Sequence, residues 1–367
     1  MSFLGTLKAV NRARNIKTKK IKNSIKLAYF RLGYRDKTKL TPSKYKNICI
    51  FMHTQAIGDG IVTSGFIKVL RDNGYNVSVV TQKRAASLFD GIIEVDGVYV
   101  TERKTIKKTA RLLNETSVDL VIDLSDFDNS SVLREKTLSL INCKHSISFN
   151  HPSKTIYDTN IITSQSEHIT SRMTHVLSLL GIKDDCKPFL KFKNPMSKEP
   201  EDFVNSLGNK LIIFNPFASV ESRSFSNEQI DSILGYLNQL NGYTTIVFNI
   251  GRGVNISQYD NVTLNPFKEL DKSFMLVQYA KFVITVDTAI VHLASALKVK
   301  QYCIYNNRKF NNKFENNIVW GPNSELAVQI TTNDYVGTEL GDDMKNFDVS
   351  MLLNKIDSDI NAGAFFG

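Results

Sequence analysis

Two hydrophobic rhythms alternate along this chain. Short continuous apolar runs, many of them β-branched, occupy Asn47–His53, Val77–Thr81, Val98–Val100, Leu120–Leu124 and His145–Phe149. A second set follows at Leu211–Asn215, Thr245–Asn249, Phe282–Val286, Lys300–Tyr305 and Leu326–Ile330. Unbroken runs of this length predict strands buried on both faces. Between them apolar residues recur at helical spacing, as in Ile61, Ile67, Val69 and Leu70, or Ile290, Leu293, Ala294 and Leu297. Further helices are predicted over Ser166–Leu180, from near Ser226, and over Val349–Ile360. Strand and helix in alternation imply parallel sheets covered on both faces, and the two sets imply two doubly wound α/β halves with a cleft between them. The stretch Asp184–Asn209, with Pro188, Pro195 and Pro200, reads as the linker and the lead into the second half. The expected division is an arm at 1–46, halves at 47–190 and 205–345, and a closing helix and tail at 346–367.

Three strand-to-helix turns carry the candidate chemistry. The run Phe282–Val286 stops at Asp287, and the helical pattern starts at Ala289, so Asp287 or Thr288 caps a helix. Its first turn offers unpaired N–H groups and the positive end of the macrodipole, which suit a phosphate or diphosphate, and His292 adds a donor at the same end. An ordinary capped corner has the same appearance. After the first strand, Gly58 and Gly60 flank Asp59. The turn matches neither the dinucleotide nor the triphosphate fingerprint. It places a carboxylate at the carboxyl end of a strand, where open α/β sheets bind ligands, with glycines that let a ligand approach the backbone; a helix cap is the alternative. The third turn, PFASVESRSFSNEQ, holds Ser219, Ser222, Arg223 and Ser224 ahead of a helix capped by Ser226, with Gln229 completing a capping box. An arginine there can grip phosphate in forked geometry.

Charge changes the picture mainly at the N-terminus. The 367 residues carry a net +10, yet residues 1–46 hold 14 of the 46 Lys and Arg against a single acid, Asp36, so the arm carries +13 and the remainder −3. Apolar residues from Phe3 to Leu32 are interleaved with these cations, compatible with amphipathic helices lying on an anionic leaflet. A basic arm also suits nucleic acid, and a plain solvated arm is the bland alternative; an anionic membrane surface, met through residues 1–40, is the expected partner. Lys83, Arg84, Arg103 and Lys104 are either solvated faces or a positive surface for an anionic acceptor. The four cysteines, far apart and without CxxC spacing, suit free thiols in a reducing compartment, and the six histidines show no compact metal-ligand spacing. No apolar run is long enough to span a bilayer, and no nucleophile elbow is present.

Taken together, IGDGIVTSG, FNPFASVESRSFS and VDTAIVHLASAL, in this order, resemble the heptosyltransferase family of glycosyltransferases, which build the inner core of lipopolysaccharide. The resemblance spans roughly residues 47–335. It implies the GT-B fold of two facing Rossmann-like domains, with the acceptor on the N-terminal half and the nucleotide sugar on the C-terminal half. Asp59 then matches the family's general base, and Ser219 and Arg223 match the hydroxyl and the lysine that contact the donor. Asp287, Thr288, Ala289 and His292 match the diphosphate-binding turn, with Ala289 and Ile290 where many members carry Gly and Pro. The acidic residue that grips the donor ribose has no clear counterpart after Asn249. The expected activity is inverting, cofactor- and metal-independent transfer of a heptose from ADP-heptose to an anionic core glycolipid, at the cytoplasmic face of the inner membrane. Arg223 and His292 would hold the departing diphosphate with positive charge, and the cleft would close before reaction. Rival readings keep the fold with another donor or acceptor, or make the chain a non-catalytic sugar-nucleotide or glycolipid binder.

Overall fold

The computed structural model describes residues 14, 18, 21–32, 36–52, 54, 56–89, 91–126, 131–152, 155–164, 166–192, 198–249, 251–310, 314–332 and 341–363. Most of the arm and His53 lie outside them. A helix over residues 21–31, α1, comes first. The first sheet contains β1 (Asn47–Met52), β2 (Asn76–Thr81), β3 (Gly97–Val100), β4 (Leu120–Asp123), β5 (His145–Phe149) and β6 (Thr159–Ile161). All pair in parallel in the order β3-β2-β1-β4-β5-β6. Its crossovers hold α2 (Ile57–Asp72), α3 (Lys83–Phe89), α4 (Ile106–Glu115) and α5 (Ser131–Leu138), and α6 (Thr170–Leu179) follows.

After α7 (Glu199–Leu207), the second sheet draws on β7 (Lys210–Asn215), β8 (Tyr243–Val247), β9 (Val262–Leu264), β10 (Ala280–Val286) and β11 (Lys300–Tyr305), with α8 (Asn227–Asn238), α9 (Leu270–Gln278) and α10 (Ala289–Ala296) between them. A small hairpin, β12 (Lys309–Phe310) and β13 (Phe314–Glu315), and the short α11 (Asn316–Val319) precede the last strand, β14 (Ala327–Thr331), and α12 (Val349–Asn361) closes the chain. The sheet order is β14-β11-β10-β7-β8-β9, again parallel. In each sheet the strand order reverses once, between β1 and β4 and between β7 and β10. Ligands of open α/β sheets bind outside the carboxyl ends of the strands at such switch points. Asp59 follows β1, Ser219 and Arg223 follow β7, and Asp287 follows β10.

The two halves share one apolar cluster. Ile61, Phe66 and Leu70 of α2 join Ile290, Leu293 and Ala294 of α10, so the two helices pack directly across the domain junction. Gly65 makes part of this possible, because a Cβ there would stand 1.9 Å from the Lys187 carbonyl oxygen of the segment crossing α2. The next residues of that segment bond to both halves. Phe189 N–H donates to Ser64 Oγ at 3.0 Å, and Leu190 N–H to the Ala296 carbonyl at 3.4 Å. Helix α12 belongs to the second half: Leu352 and Ile356 are buried among Phe225, Ile233 and Leu237, and Tyr302 donates to Asp359 at 2.8 Å.

The lead into the second half contains a helix that the sequence does not announce. Residues Glu199–Leu207 form α7, with Pro200 in its first turn and three acids, Glu199, Glu201 and Asp202, at the same end. Proline is tolerated there because that N–H has no intrahelical partner. The helix packs on α9, with Phe203 edge-on to Phe267 and Lys272 paired to Glu199 at 2.5 Å. Helix α6 starts at Thr170 rather than Ser166, since Ser164 and Ser166 bond to one another and His168 turns toward the Gly321 carbonyl. The four cysteines are buried and free, and burial pushes the Cys49 and Cys186 thiols up to about 12. Among the described residues no helix is long and apolar enough to cross a membrane.

Candidate active site

The two switch points meet where α2 and α10 begin. Gly58, in the first turn of α2, faces the second half: a Cβ on it would lie 3.1 Å from His292 Cδ2 and 3.6 Å from Ala289 Cα. A Cβ on Gly60 would lie 2.4 Å from Leu88 Cδ2. Both glycines therefore admit protein neighbours, and the expectation that they make room for a ligand is corrected by this packing. Asp59, between them, is the third residue of α2, and the N-cap is Ala56, which makes no side-chain cap. Asp59 is therefore not the N-cap, although its carboxylate also bonds to its own backbone N–H in that first turn. Burial pushes its carboxyl above the usual carboxylate range, opposed by a hydrogen bond with Thr54. A carboxylate raised toward neutral pH is suited to accept a proton.

In the second half, Asp287 and Thr288 divide the work that the sequence left open between them. Thr288 is the N-cap of α10, its Oγ1 accepting from Ile290 N–H at 3.2 Å. Asn215, at the end of β7, holds that hydroxyl by donating to Thr288 Oγ1 at 2.9 Å. The Asp287 carboxylate instead receives Arg223 Nη1 at 3.1 Å and Asn316 Nδ2 at 3.0 Å, both on Oδ2. Arg223 Nη2 also donates to Ser219 Oγ at 3.0 Å. Ser219, Arg223, Asp287 and Thr288 thus converge on one edge. Burial pushes the Asp287 carboxyl up, against the pull of Arg223 and Arg308. Ser219 is exposed and Arg223 half-buried, so both remain reachable from solvent.

His292 differs from expectation in charge. It is 6% exposed, its Nδ1 has no hydrogen-bond partner, and burial lowers its pKa to about 3, helped by the neighbouring His168. The ring is neutral at physiological pH, so it offers no cation to a diphosphate. Positive potential comes from Arg223 and the N-terminal end of α10. Sequence reasoning missed Thr54, although it lies only five residues before Asp59, and it missed Asn215, His168 and Asn316, which act through contacts distant in sequence and leave no local spacing to find.

Lys83 and Arg84 open α3 after β2, and Arg103 and Lys104 lie in the turn after β3; all four are exposed at the same carboxyl edge as Asp59. Residues 248–257, directly after β8, include no carboxylate. Arg252 there folds back over Phe217, 4.8 Å from the ring centre, and donates to Ser224 Oγ and the Ala218 carbonyl. Beside it lies a pocket of about 690 Å³ lined by Glu221, Ser222, Glu228 and Asp343 among others. Among the described residues no cluster of His, Cys, Asp or Glu has the makings of a metal site.

The chain has relatives in sequence and fold. The family model for glycosyltransferase family 9 (heptosyltransferase) matches residues 106–334. A curated protein of Escherichia coli (strain K12), named "Putative lipopolysaccharide heptosyltransferase 4", is 22% identical over 91% of this chain and 94% of its own length. Among solved structures, the family 9 glycosyl transferase of Veillonella parvula superposes with TM-score 0.70 at 18% identity, covering 88% of this chain and 98% of that one. The E. coli heptosyltransferase WaaC with ADP gives 0.63 at 15% identity, over 85% of this chain and 99% of that one. With the fold so matched and more than half of the sequence covered by the family's pattern, the chain belongs to glycosyltransferase family 9, the heptosyltransferases.

Proposed function

We propose that this glycosyltransferase moves a heptose from ADP-heptose to a lipopolysaccharide core acceptor by single displacement with inversion, without a metal, at the cytoplasmic face of the inner membrane. The observation that carries the reading is the contact between Gly58 and His292. It sets the first turn of α2, with its raised carboxylate, against the first turn of α10, with its diphosphate-binding end. In the step envisaged, Asp59 takes the proton from an acceptor hydroxyl as that oxygen bonds to the anomeric carbon. The bond from the anomeric carbon to the diphosphate oxygen breaks at the same time, and ADP leaves. Charge developing on ADP is met by Arg223, Ser219 and the N–H groups of the Thr288 turn. Arg223 must exchange its bond to Asp287 for the phosphate, and Asn316 remains to hold that carboxylate in place.

The exposed cations Lys83, Arg84, Arg103 and Lys104 fit an anionic core glycolipid at the acceptor edge. The names of the relatives, a lipopolysaccharide heptosyltransferase and a heptosyltransferase bound to ADP, support the same donor and acceptor. The test is direct. The purified chain is given ADP-heptose and a delipidated core oligosaccharide in the presence of a chelator, and the product linkage is read by nuclear magnetic resonance. Inversion at the anomeric carbon with undiminished rate is expected. Retention of configuration, loss of rate on chelation, or turnover only with a different nucleotide sugar would each overturn the corresponding part of the proposal.

A further inference from the structure

Helix α1 has two faces with opposite fates. On one, Leu27 is 4% exposed, and one turn on, Arg31 forks onto Glu135 of the first half with Nη2–Oε1 at 3.1 Å and Nε–Oε2 at 3.3 Å. Glu135 is fully buried. On the other face, Ile21, Ile25, Tyr29 and Leu32 are 54%, 65%, 72% and 78% exposed. Spaced four, four and three residues apart, these side chains form a single stripe along the helix. Beside it run Lys22 and Lys26, one turn apart and both exposed, and Arg14 is exposed upstream of them. The intervening sequence adds Lys17, Lys19 and Lys20, and no acidic residue occurs before Asp36. A row of four large apolar side chains left in water is unusual on a soluble surface and marks an interaction site. A rim whose charges are all positive selects a negatively charged partner.

The attachment of α1 also has a direction. Glu135 lies on α5, the helix that leaves the carboxyl end of β4, and Glu135 Oε1 is 3.7 Å from Nδ1 of His151, just past the end of β5. The C-terminal end of α1 is therefore fixed near the carboxyl edge of the first sheet. Lys83, Arg84, Arg103 and Lys104 occupy that edge on the β2–β3 side, with Asp59 between the two flanks.

We propose that α1 is a membrane-docking helix: its stripe enters the headgroup region of an anionic bilayer, its cations bind the lipid phosphates, and the Arg31–Glu135 tether turns the acceptor edge toward that surface. Burial of apolar side chains combined with attraction of basic residues to anionic headgroups is how such helices bind interfaces. The lipid contact stands independently of the reaction; only its use, the presentation of a glycolipid, rests on the function proposed above.

The full chain is floated with phosphatidylcholine vesicles, with and without phosphatidylglycerol and free of any acceptor. The parent should bind the anionic vesicles and release them as salt rises, and Ile25→Glu with Tyr29→Glu should weaken binding by at least about tenfold at an unchanged melting temperature. A parent that ignores anionic vesicles, or a double variant that binds as the parent does, overturns the proposal. So does a stripe-dependent dimer, or retardation of RNA at physiological salt in place of lipid binding. Orientation is read with a fluorophore on Glu102→Cys, at the carboxyl edge, or on Asn76→Cys, at the opposite end of β2. A headgroup-borne quencher should quench the first more than the second, and the reverse order contradicts the tether. The double variant should lose turnover on vesicle-embedded glycolipid while keeping it on the soluble oligosaccharide. Failure of the parent on the soluble acceptor sinks the proposed reaction, not the docking.

Discussion

The first turns of α2 and α10 are built alike and equipped differently. Each follows a central parallel strand at the switch point of its sheet, and they touch through Gly58 and His292. In α10 a side chain is committed to the backbone, with Thr288 capping Ile290 N–H and Asn215 fixing the Thr288 hydroxyl. In α2 the N-cap is Ala56, and the one carboxylate, Asp59, sits inside the first turn with Thr54 beside it. One corner is organised to hold charge still. The other keeps an ionisable group whose burial makes it a better base. The proposed reaction rests on the pairing of these two corners.

The largest effect in breaking that pairing is expected at Asp59. Asp59→Asn preserves size and hydrogen bonding, and should leave folding and ADP affinity intact while turnover falls by about 10² to 10⁴, the usual contribution of a positioned base. Arg223→Ala comes next. Loss of a charged hydrogen bond to phosphate should weaken donor binding by about 1.5 to 3 kcal/mol, read by calorimetry, with Arg223→Lys recovering part. An unchanged donor affinity would remove Arg223 from the site.

His292 should matter less for binding than a cation would. As a neutral ring, its replacement by Ala should reduce ADP affinity by about 0.5 to 1.5 kcal/mol, the range for neutral hydrogen bonds. Its signature lies in stability. Its folded pKa is depressed from 6.5 to about 3, so it stabilises the fold above pH 6.5, and that contribution is lost as pH falls through the window down to about 3. Denaturant melts across that window should show a flatter acid decline for His292→Ala than for the parent. Equal slopes would mean the ring is not held neutral. The smallest effect is expected for Gly58→Ala, whose new methyl group meets His292 Cδ2 at 3.1 Å and must shift the helices by a few tenths of an ångström. A modest loss of turnover without loss of ADP affinity is the expected readout from steady-state kinetics.

The same contrast explains what the sequence could convey. The central strands were legible because burial on both faces writes them as unbroken apolar runs, as Phe282–Val286 shows. The edge strands β6 and β9 are three residues each and only partly buried, too short to impose a pattern. Helix α7 was hidden by Pro200, which reads as a breaker and acts as a first-turn residue. Asp59, Arg223 and Thr288 stood out because their turns are local. Asn316 reaches Asp287 across 29 positions, and His168 reaches the Gly321 carbonyl across 153, so neither carries a local signal. The neutrality of His292 leaves no local signal for a related reason: Gly58 and His168, which lie beside it, come from the other half of the chain.

The central claim is that Asp59 serves as the base opposite the diphosphate-binding turn. The single-turnover rate of the donor-saturated enzyme, followed across pH for the parent and for Asp59→Asn, tests it most directly. The parent rate should fall toward acid with a midpoint above the ordinary carboxylate value of 3.8, because burial raises this group. The variant should be slow and lack that limb, with ADP affinity preserved. A folded, donor-binding Asp59→Asn enzyme that turns over at the parent rate, or that keeps the parent's acid limb, would contradict the account.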